Sequence, residues 1–234
     1  MKCAEIRYFD TCPSTNDYAK ENAEKLEIPA LIIAGCQSGG RGRKGKSFYS
    51  PEGGIYFSLL FEADENFELI TPACAVSVCE AIEEMCGIEA GIKWVNDIFY
   101  GGKKVCGILT ERFIRGGRTY TCAGIGINLN IKGFPDYLPE AGSLGCDING
   151  RELAELISEK LLDMNNDSSK NRILEEYESR LILKGKEIIY EINGSKCTGR
   201  VKGINEECNL LVENGKGETV TLKSGEISVK AAEN

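Results

Sequence analysis

Two glycine pairs, Gly101-Gly102 and Gly116-Gly117, divide the stretch from residue 92 to residue 130 into strand-like runs. Paired glycines supply the positive φ angles of tight hairpin turns. The runs they separate are Asp97-Ile98-Phe99-Tyr100, Lys103 to Phe113 and Thr119 to Asn130, with Ile92-Lys93-Trp94-Val95 just before them. Strands joined so closely pair antiparallel, because a parallel pair needs a crossover of a dozen or more residues. Repeated β-α-β units are missing, so the glycines of this chain do not read as a dinucleotide-binding fold. The phosphate-loop spacing G-x-x-x-x-G-K-[ST] does not occur either.

Around this meander the pattern predicts an α+β domain with a mixed, largely antiparallel sheet. Ser14-Thr15-Asn16-Asp17 offers N-cap side chains before a short helix from Tyr18 to Leu26. A strand follows at about 30–36. Ser50 to Gly54 is a turn, and Ile55 to Phe61 is too apolar for a one-sided strand, so it runs through the core. Thr71-Pro72 reads as an N-cap and a first-turn proline. Ala75, Val78, Cys79, Ile82 and Cys86 then give one buried face to a helix over 72–86. Two helical patterns occupy 151–183: Leu153, Ile157 and Leu161, then Ile173, Tyr177 and Leu181.

From Gly185 the texture changes. Glu187 to Asn193, Lys196 to Ile204, Asn209 to Glu213, Glu218 to Leu222 and Ile227 to Lys230 are short pieces broken by Gly, Asn and Lys. Such a run suggests a small β-barrel. The expected division is a domain over 1–184 and a second over 185–234.

The chain has 234 residues, 42% of them hydrophobic and 27% charged, enough to bury a core. Its formal net charge of -8 argues against a general nucleic-acid binder. No apolar run is long enough to span a membrane, and Met1 to Arg7 lacks an apolar signal core, so a cytoplasmic location is expected. The 11 cysteines show no C-x2-C spacing; reduced thiols acting as small hydrophobes fit best. There is no histidine. Ser-His-Asp and Cys-His catalysis and His-ligated metal sites are thereby excluded, and no protein metal site is expected.

Against this acidic background stands one cationic island, Gln37-Ser38-Gly39-Gly40-Arg41-Gly42-Arg43-Lys44-Gly45-Lys46. Glycines let the backbone approach a ligand closely, and the interleaved cations suit a phosphate or carboxylate. A solvated basic loop is the plain alternative.

Five segments in order, namely Ser14-Thr15-Asn16, Gln37 to Lys46, Lys93-Trp94-Val95-Asn96-Asp97, Lys104 to Glu111 and Gly124 to Asn130, closely resemble the biotin protein ligases. The resemblance spans almost the whole chain, and Gly185 to Lys230 resembles that family's SH3-like barrel. It implies a class II aminoacyl-tRNA synthetase/biotin ligase-like catalytic domain. It also implies two steps. Biotin and ATP give biotinyl-5′-AMP and pyrophosphate, with Mg²⁺ arriving on the nucleotide; a lysine of a biotin carboxyl carrier protein, such as that of acetyl-CoA carboxylase, then takes the biotinyl group. The enzyme is expected to be a monomer or weak homodimer.

The resemblance also assigns residues. Ser14, Thr15, Asn16, Gln37, Gly40, Gly107 and Gly124 fall at biotin positions. Arg41, Arg43 and Lys104 serve both substrates, and Lys44, Trp94, Asn96 and Asn128 fall on the nucleotide side. Lys104, Arg41 and Asp97 are the expected catalytic residues, Asp97 as acceptor of the carrier lysine's proton, since no histidine exists to do it. Plainer roles stand beside these: Ser14 and Thr15 as helix caps, Trp94 as core packing, and Asp97 as an ion-pair partner of Lys93. Val95 and Lys46 depart from the family pattern, which has proline and often arginine there. A lipoate- or octanoate-type ligase of the same fold is the nearest rival, but its signature ends in a Tyr-His-Asp that this chain lacks. A biotin-sequestering pseudo-enzyme is disfavoured by Arg41, Arg43 and Lys104. A repressor role is disfavoured because only 13 residues precede Ser14.

Overall fold

The computed structural model describes residues 2–62, 68–165, 167–192, 195–223 and 230–231. Among them a seven-stranded sheet is built from β1 (Glu5–Cys12), β2 (Ala30–Gln37), β3 (Gly54–Phe61), β4 (Gly91–Lys93), β5 (Asp97–Tyr100), β6 (Lys103–Arg115) and β7 (Arg118–Asn128). Its order is β1-β2-β3-β7-β6-β5-β4. Only β1 and β2 run parallel; the other pairs are antiparallel, as the glycine turns require. Gly101, Gly102, Gly116 and Gly117 all take positive φ.

The two faces of this sheet are chemically different. One presents Phe57, Leu59, Ile125 and Ile127, and carries α2 (Ile70–Cys86) and α3 (Gly150–Met164) in the main core. The other presents Ala30, Ile32, Leu60 and Cys122, and carries the short helix α1 (Thr15–Glu21) through Ala19, with Ala23 packed just past its end. Period-2 alternation puts Gly124 and Gly126 of β7 on this second face. Gly107 pairs directly with Gly126 across β6 and β7. By the start of α1, Gly107, Gly124 and Gly126 therefore leave a strip of this face without side chains of its own, and that strip is the floor of a cleft.

Several boundaries differ from the sequence reading. α1 begins at Thr15, three residues before the expected start, because Ser14 is the N-cap and its Oγ accepts from Asp17 N at 3.3 Å. α2 begins at Ile70, and Leu69 precedes it without a side-chain cap. Thr71 is thus inside the first turn, where Pro72 is tolerated because first-turn N–H groups have no helical partner. β1 has no counterpart in the sequence reading. α4 (Lys170–Ser179) buries Ile173 and Tyr177 as expected, but Leu181 lies past its end and bridges to Ile92 of β4.

The C-terminal strands are β8 (Glu187–Ile192), β9 (Ser195–Ile204), β10 (Leu210–Asn214), β11 (Thr219–Leu222) and β12 (Lys230–Ala231), in the order β11-β10-β9-β8-β12. The pairings are antiparallel. The expected barrel is not closed among the described residues, since β11 and β12 lie at opposite edges. The strand expected at Ile227 to Lys230 falls outside the described residues except at its last position.

Candidate active site

The cleft, about 340 Å³, lies over the glycine strip. Its polar end is built by the start of α1 and the end of β2. Ser14, Thr15 and Asn16 are buried there. Thr15 donates to Gln37 Oε1 from its backbone N–H at 2.9 Å and its hydroxyl at 3.2 Å. Gln37 Nε2 donates onward to Ser50 Oγ at 3.1 Å. Capping and lining the cleft are thus compatible roles for Ser14.

The cationic loop closes on itself, with Gly42 N donating to Lys46 O at 2.7 Å and Phe48 N to Gly40 O at 2.8 Å. Lys44, at φ 56, and Gly45, at φ 72, make its tip. From this frame Arg41 Nε reaches Asp17 Oδ2 at 2.9 Å and Arg43 Nη1 reaches Asn96 Oδ1 at 3.0 Å. Asn96 also donates to Ile108 O at 2.9 Å. The charged middle of the cleft is Lys104, whose Nζ lies 2.6 Å from Asp97 Oδ1. Lys93 pairs instead with Glu140 at 3.4 Å and sits 4.9 Å from the centre of the Phe99 ring. The Lys93–Asp97 ion pair considered above does not form, although the two residues are register partners across β4 and β5.

Trp94 is buried and lines the cleft, and its Nε1 donates to the carbonyl of Cys208 at 2.9 Å. Tyr177 donates its hydroxyl to Val95 O at 3.1 Å. The turn 94–96 is therefore held from three sides: by the C-terminal sheet, by α4 and by the cationic loop.

A cleft lined by both neutral hydrogen-bonding groups and fixed cations suits an uncharged polar ring bearing an acid, beside a phosphate. The model of the "Biotin/lipoate A/B protein ligase family" matches residues 8–130, more than half of the chain. The chain belongs to that family. Residues 185–230 match the "Biotin protein ligase C terminal domain". The bifunctional ligase/repressor BirA of Bacillus subtilis is 32% identical over 228 residues, covering 90% of this chain and 70% of that protein. The biotin–[acetyl-CoA-carboxylase] ligase of Paracoccus denitrificans is 33% identical over 128 residues, 53% of each chain. Among solved structures, the Aquifex aeolicus biotin protein ligase in complex with biotin and ATP has a TM-score of 0.83 at 30% identity, covering 98% of this chain and 100% of that one. The fold is therefore the biotin ligase fold.

Most of the residues expected of such a ligase meet in this one cleft: Ser14, Thr15, Asn16, Gln37, Arg41, Arg43, Lys44, Trp94, Asn96, Asp97, Lys104, Gly107 and Gly124. Two do not line it. Gly40 is a packing glycine, where a Cβ would stand 2.5 Å from Phe48 O and Ser50 Oγ. Asn128, expected on the adenine side, is buried behind the wall. Its Nδ2 donates to Gly142 O at 2.9 Å, tying the 138–145 segment to β7, and its Oδ1 is buried without a protein partner.

Sequence reasoning passed over Phe48, Gly126, Ser58, Glu111 and Glu140. Gly126 was legible, being two residues from Gly124 on one strand face. Phe48 had no local signal. Its ring covers the glycine strip, where a Cβ on Gly107 or Gly126 would come within 2.7 or 2.5 Å of it, and lies 5.9 Å from Lys104 Nζ.

Proposed function

We infer that the chain is an ATP-dependent biotin–protein ligase. The observation that carries this reading is that four neutral polar side chains, Ser14, Thr15, Asn16 and Gln37, line one cleft together with the cations Arg41, Arg43 and Lys104. A cyclic urea needs such uncharged donors and acceptors; a dithiolane does not. The acid at the far end of the ligand would meet the cations.

In the first step the biotin carboxylate oxygen bonds to the α-phosphorus of ATP and pyrophosphate leaves. Two anionic groups must approach, so preorganised cations lower the barrier. Arg41 and Arg43 supply planar donors, and Lys104 a compact charge able to face carboxylate and phosphate together. Mg²⁺, when bound with the nucleotide, supplies shielding of pyrophosphate charge. The cleft carboxylates Asp97 and Glu140 are already paired with Lys104 and Lys93, so the metal's ligands would be phosphate oxygens and water. In the second step a neutral carrier lysine attacks the anhydride carbonyl and AMP leaves. Asp97 is the carboxylate at the reacting centre and the proposed acceptor of the lysine proton. The carrier is a biotin carboxyl carrier protein of an acetyl-CoA carboxylase or related enzyme. The working units are residues 1–184, which bind both substrates, and 185–234, which brace Trp94.

Mass spectrometry after incubation with MgATP and a mixture of biotin, lipoate and octanoate tests the substrate. Retained biotinyl-AMP is expected. A lipoyl or octanoyl adenylate, or none, would overturn the reading.

A further inference from the structure

Beneath the polar end of the cleft lies a charged group that the reaction does not use. Glu111 stands on the second face of β6, beside α1. Its Oε1 is 2.7 Å from Lys20 Nζ, and its Oε2 accepts from Asn16 Nδ2 at 2.9 Å. The same Nδ2 faces Leu109 O at 3.4 Å. Both neighbours of that nitrogen are acceptors only, so the carboxamide has one permitted orientation. Its oxygen is thereby turned the other way. There, Ser58 Oγ, fully buried on β3, lies 2.6 Å from Asn16 Oδ1 and 2.8 Å from Thr15 Oγ1. A Cβ on Gly124 would overlap Asn16 Oδ1, so that oxygen rests on the glycine strip where the cleft is open.

We propose that Glu111 is a positioning residue for ligand recognition: its carboxylate locks the Asn16 carboxamide with the oxygen toward the cleft, as an acceptor for an N–H of a cyclic urea. The proposal rests on the biotin-ligase reading of this cleft. Ser58 occupies one lone pair of Asn16 Oδ1, leaving the second for the ligand. If the amide turned over, its oxygen would face the carboxylate of Glu111 and the carbonyl of Leu109, and the cleft would receive a second donor where an acceptor is needed. The negative charge of Glu111 makes that state costly. Burial alone would raise the Glu111 pKa, but the Lys20 and Asn16 hydrogen bonds and the Lys20 charge outweigh it and hold the carboxyl below its ordinary value. The group is therefore ionised at neutral pH and the lock is set.

The test is Glu111→Gln, alone and combined with Asn16→Ala, in the full chain. A glutamine keeps the shape and removes the charge, so both orientations of Asn16 become accessible. Biotin Kd by calorimetry is expected to rise about tenfold, the effect of one lost ligand hydrogen bond. The KM for ATP and the kcat of adenylation should stay within about twofold, and Glu111→Gln should cost nothing further in the Asn16→Ala background. A plain structural role predicts the opposite: a lower melting midpoint, equal damage to kcat and to both KM values, and additive losses. Wild-type biotin affinity in Glu111→Gln, or additivity with Asn16→Ala, overturns the proposal. If Glu111→Gln does not fold, Glu111→Asp keeps the charge but draws the acceptor back by one methylene. A selective loss of biotin affinity of about threefold or more is then expected, and unchanged affinity overturns the idea. A wild-type chain that binds no biotin would refute the ligase reading itself, independently of these variants.

Discussion

Lys104 and Asp97 sit together in the cleft, but their predicted losses separate the two chemical steps. Lys104→Ala removes a cation facing the developing charge, and adenylate formation measured by pyrophosphate release should fall at least ~10²-fold. The melting midpoint should fall only modestly, because Lys104 and Asp97 line an open cleft, with side chains 30% and 27% exposed, where water can solvate the carboxylate left behind. Asp97→Asn keeps an acceptor oxygen beside Lys104, so biotinyl-AMP should still form. Transfer to the carrier should slow, because the ammonium of the incoming lysine, with an unperturbed pKa of ~10.4, loses its proton acceptor. Raising the pH increases the neutral amine and should partly restore the rate. Single-turnover transfer from preformed adenylate, followed from pH 7 to 9, gives the answer; a normal rate at neutral pH removes Asp97 as base. At this scale the sequence was most readable where charge and glycine line the cleft. Lys104, Arg41 and Gly124 announce themselves by position. Phe48 and Ser58 do not, because their roles depend on partners distant in sequence, Thr15 and Asn16 of α1 for Ser58, and residue type alone says nothing of a ring laid over Gly107 and Gly126.

The cationic loop is the element whose behaviour should change most on binding. It is folded by a few backbone hydrogen bonds of its own, and Arg41 and Arg43 are already engaged by Asp17 and Asn96. A ligand carboxylate or phosphate offers a charge-assisted partner for the same guanidinium groups. Biotin is expected to raise hydrogen-exchange protection across residues 39–48, with β9 of the C-terminal sheet as an unresponsive internal reference; equal exchange with and without biotin would mean that the loop is set beforehand. Element reading succeeded wherever period and turn agreed, as in β5, β6 and β7. It failed at β1, a parallel edge strand exposed on most of its length, with little apolar alternation to betray it. It also misplaced the start of α2, since Thr71 looks like a cap but its hydroxyl lies 2.5 Å from Thr110 Oγ1 across the domain.

For the whole molecule, the 11 cysteines are free thiols, and six of them are core filler. Cys12, Cys74, Cys79, Cys106, Cys122 and Cys208 are buried. Burial pushes the thiols of Cys79, Cys122 and Cys208 up to about 12. Thiolate is the reactive species, so these groups should be inert near pH 8 until the chain unfolds. A chromogenic disulfide reagent should titrate no more than five thiols in the native protein, at Cys3, Cys36, Cys86, Cys146 and Cys197, and all 11 in denaturant. A sixth native equivalent would mean that the core opens readily. The sequence anticipated this use of cysteine because the apolar runs around Cys74, Cys79, Cys106 and Cys122 lack metal spacing. It anticipated a change of texture at Gly185 too, but not that the second sheet reaches back to brace the first.

That brace ties competence to the timetable of synthesis. Trp94 waits across 114 residues for the carbonyl of Cys208, and a chain emerging from the ribosome has no acceptor to offer it until that residue has been made. A half-finished copy would hold the 94–96 turn without its C-terminal support. It would be slow to generate a reactive acyl-adenylate beside the translation machinery, where stray lysines abound. Stalled chains of increasing length should gain pyrophosphate release only after residue 208 has emerged, so that the enzyme becomes able to do harm at about the moment it becomes able to do its work.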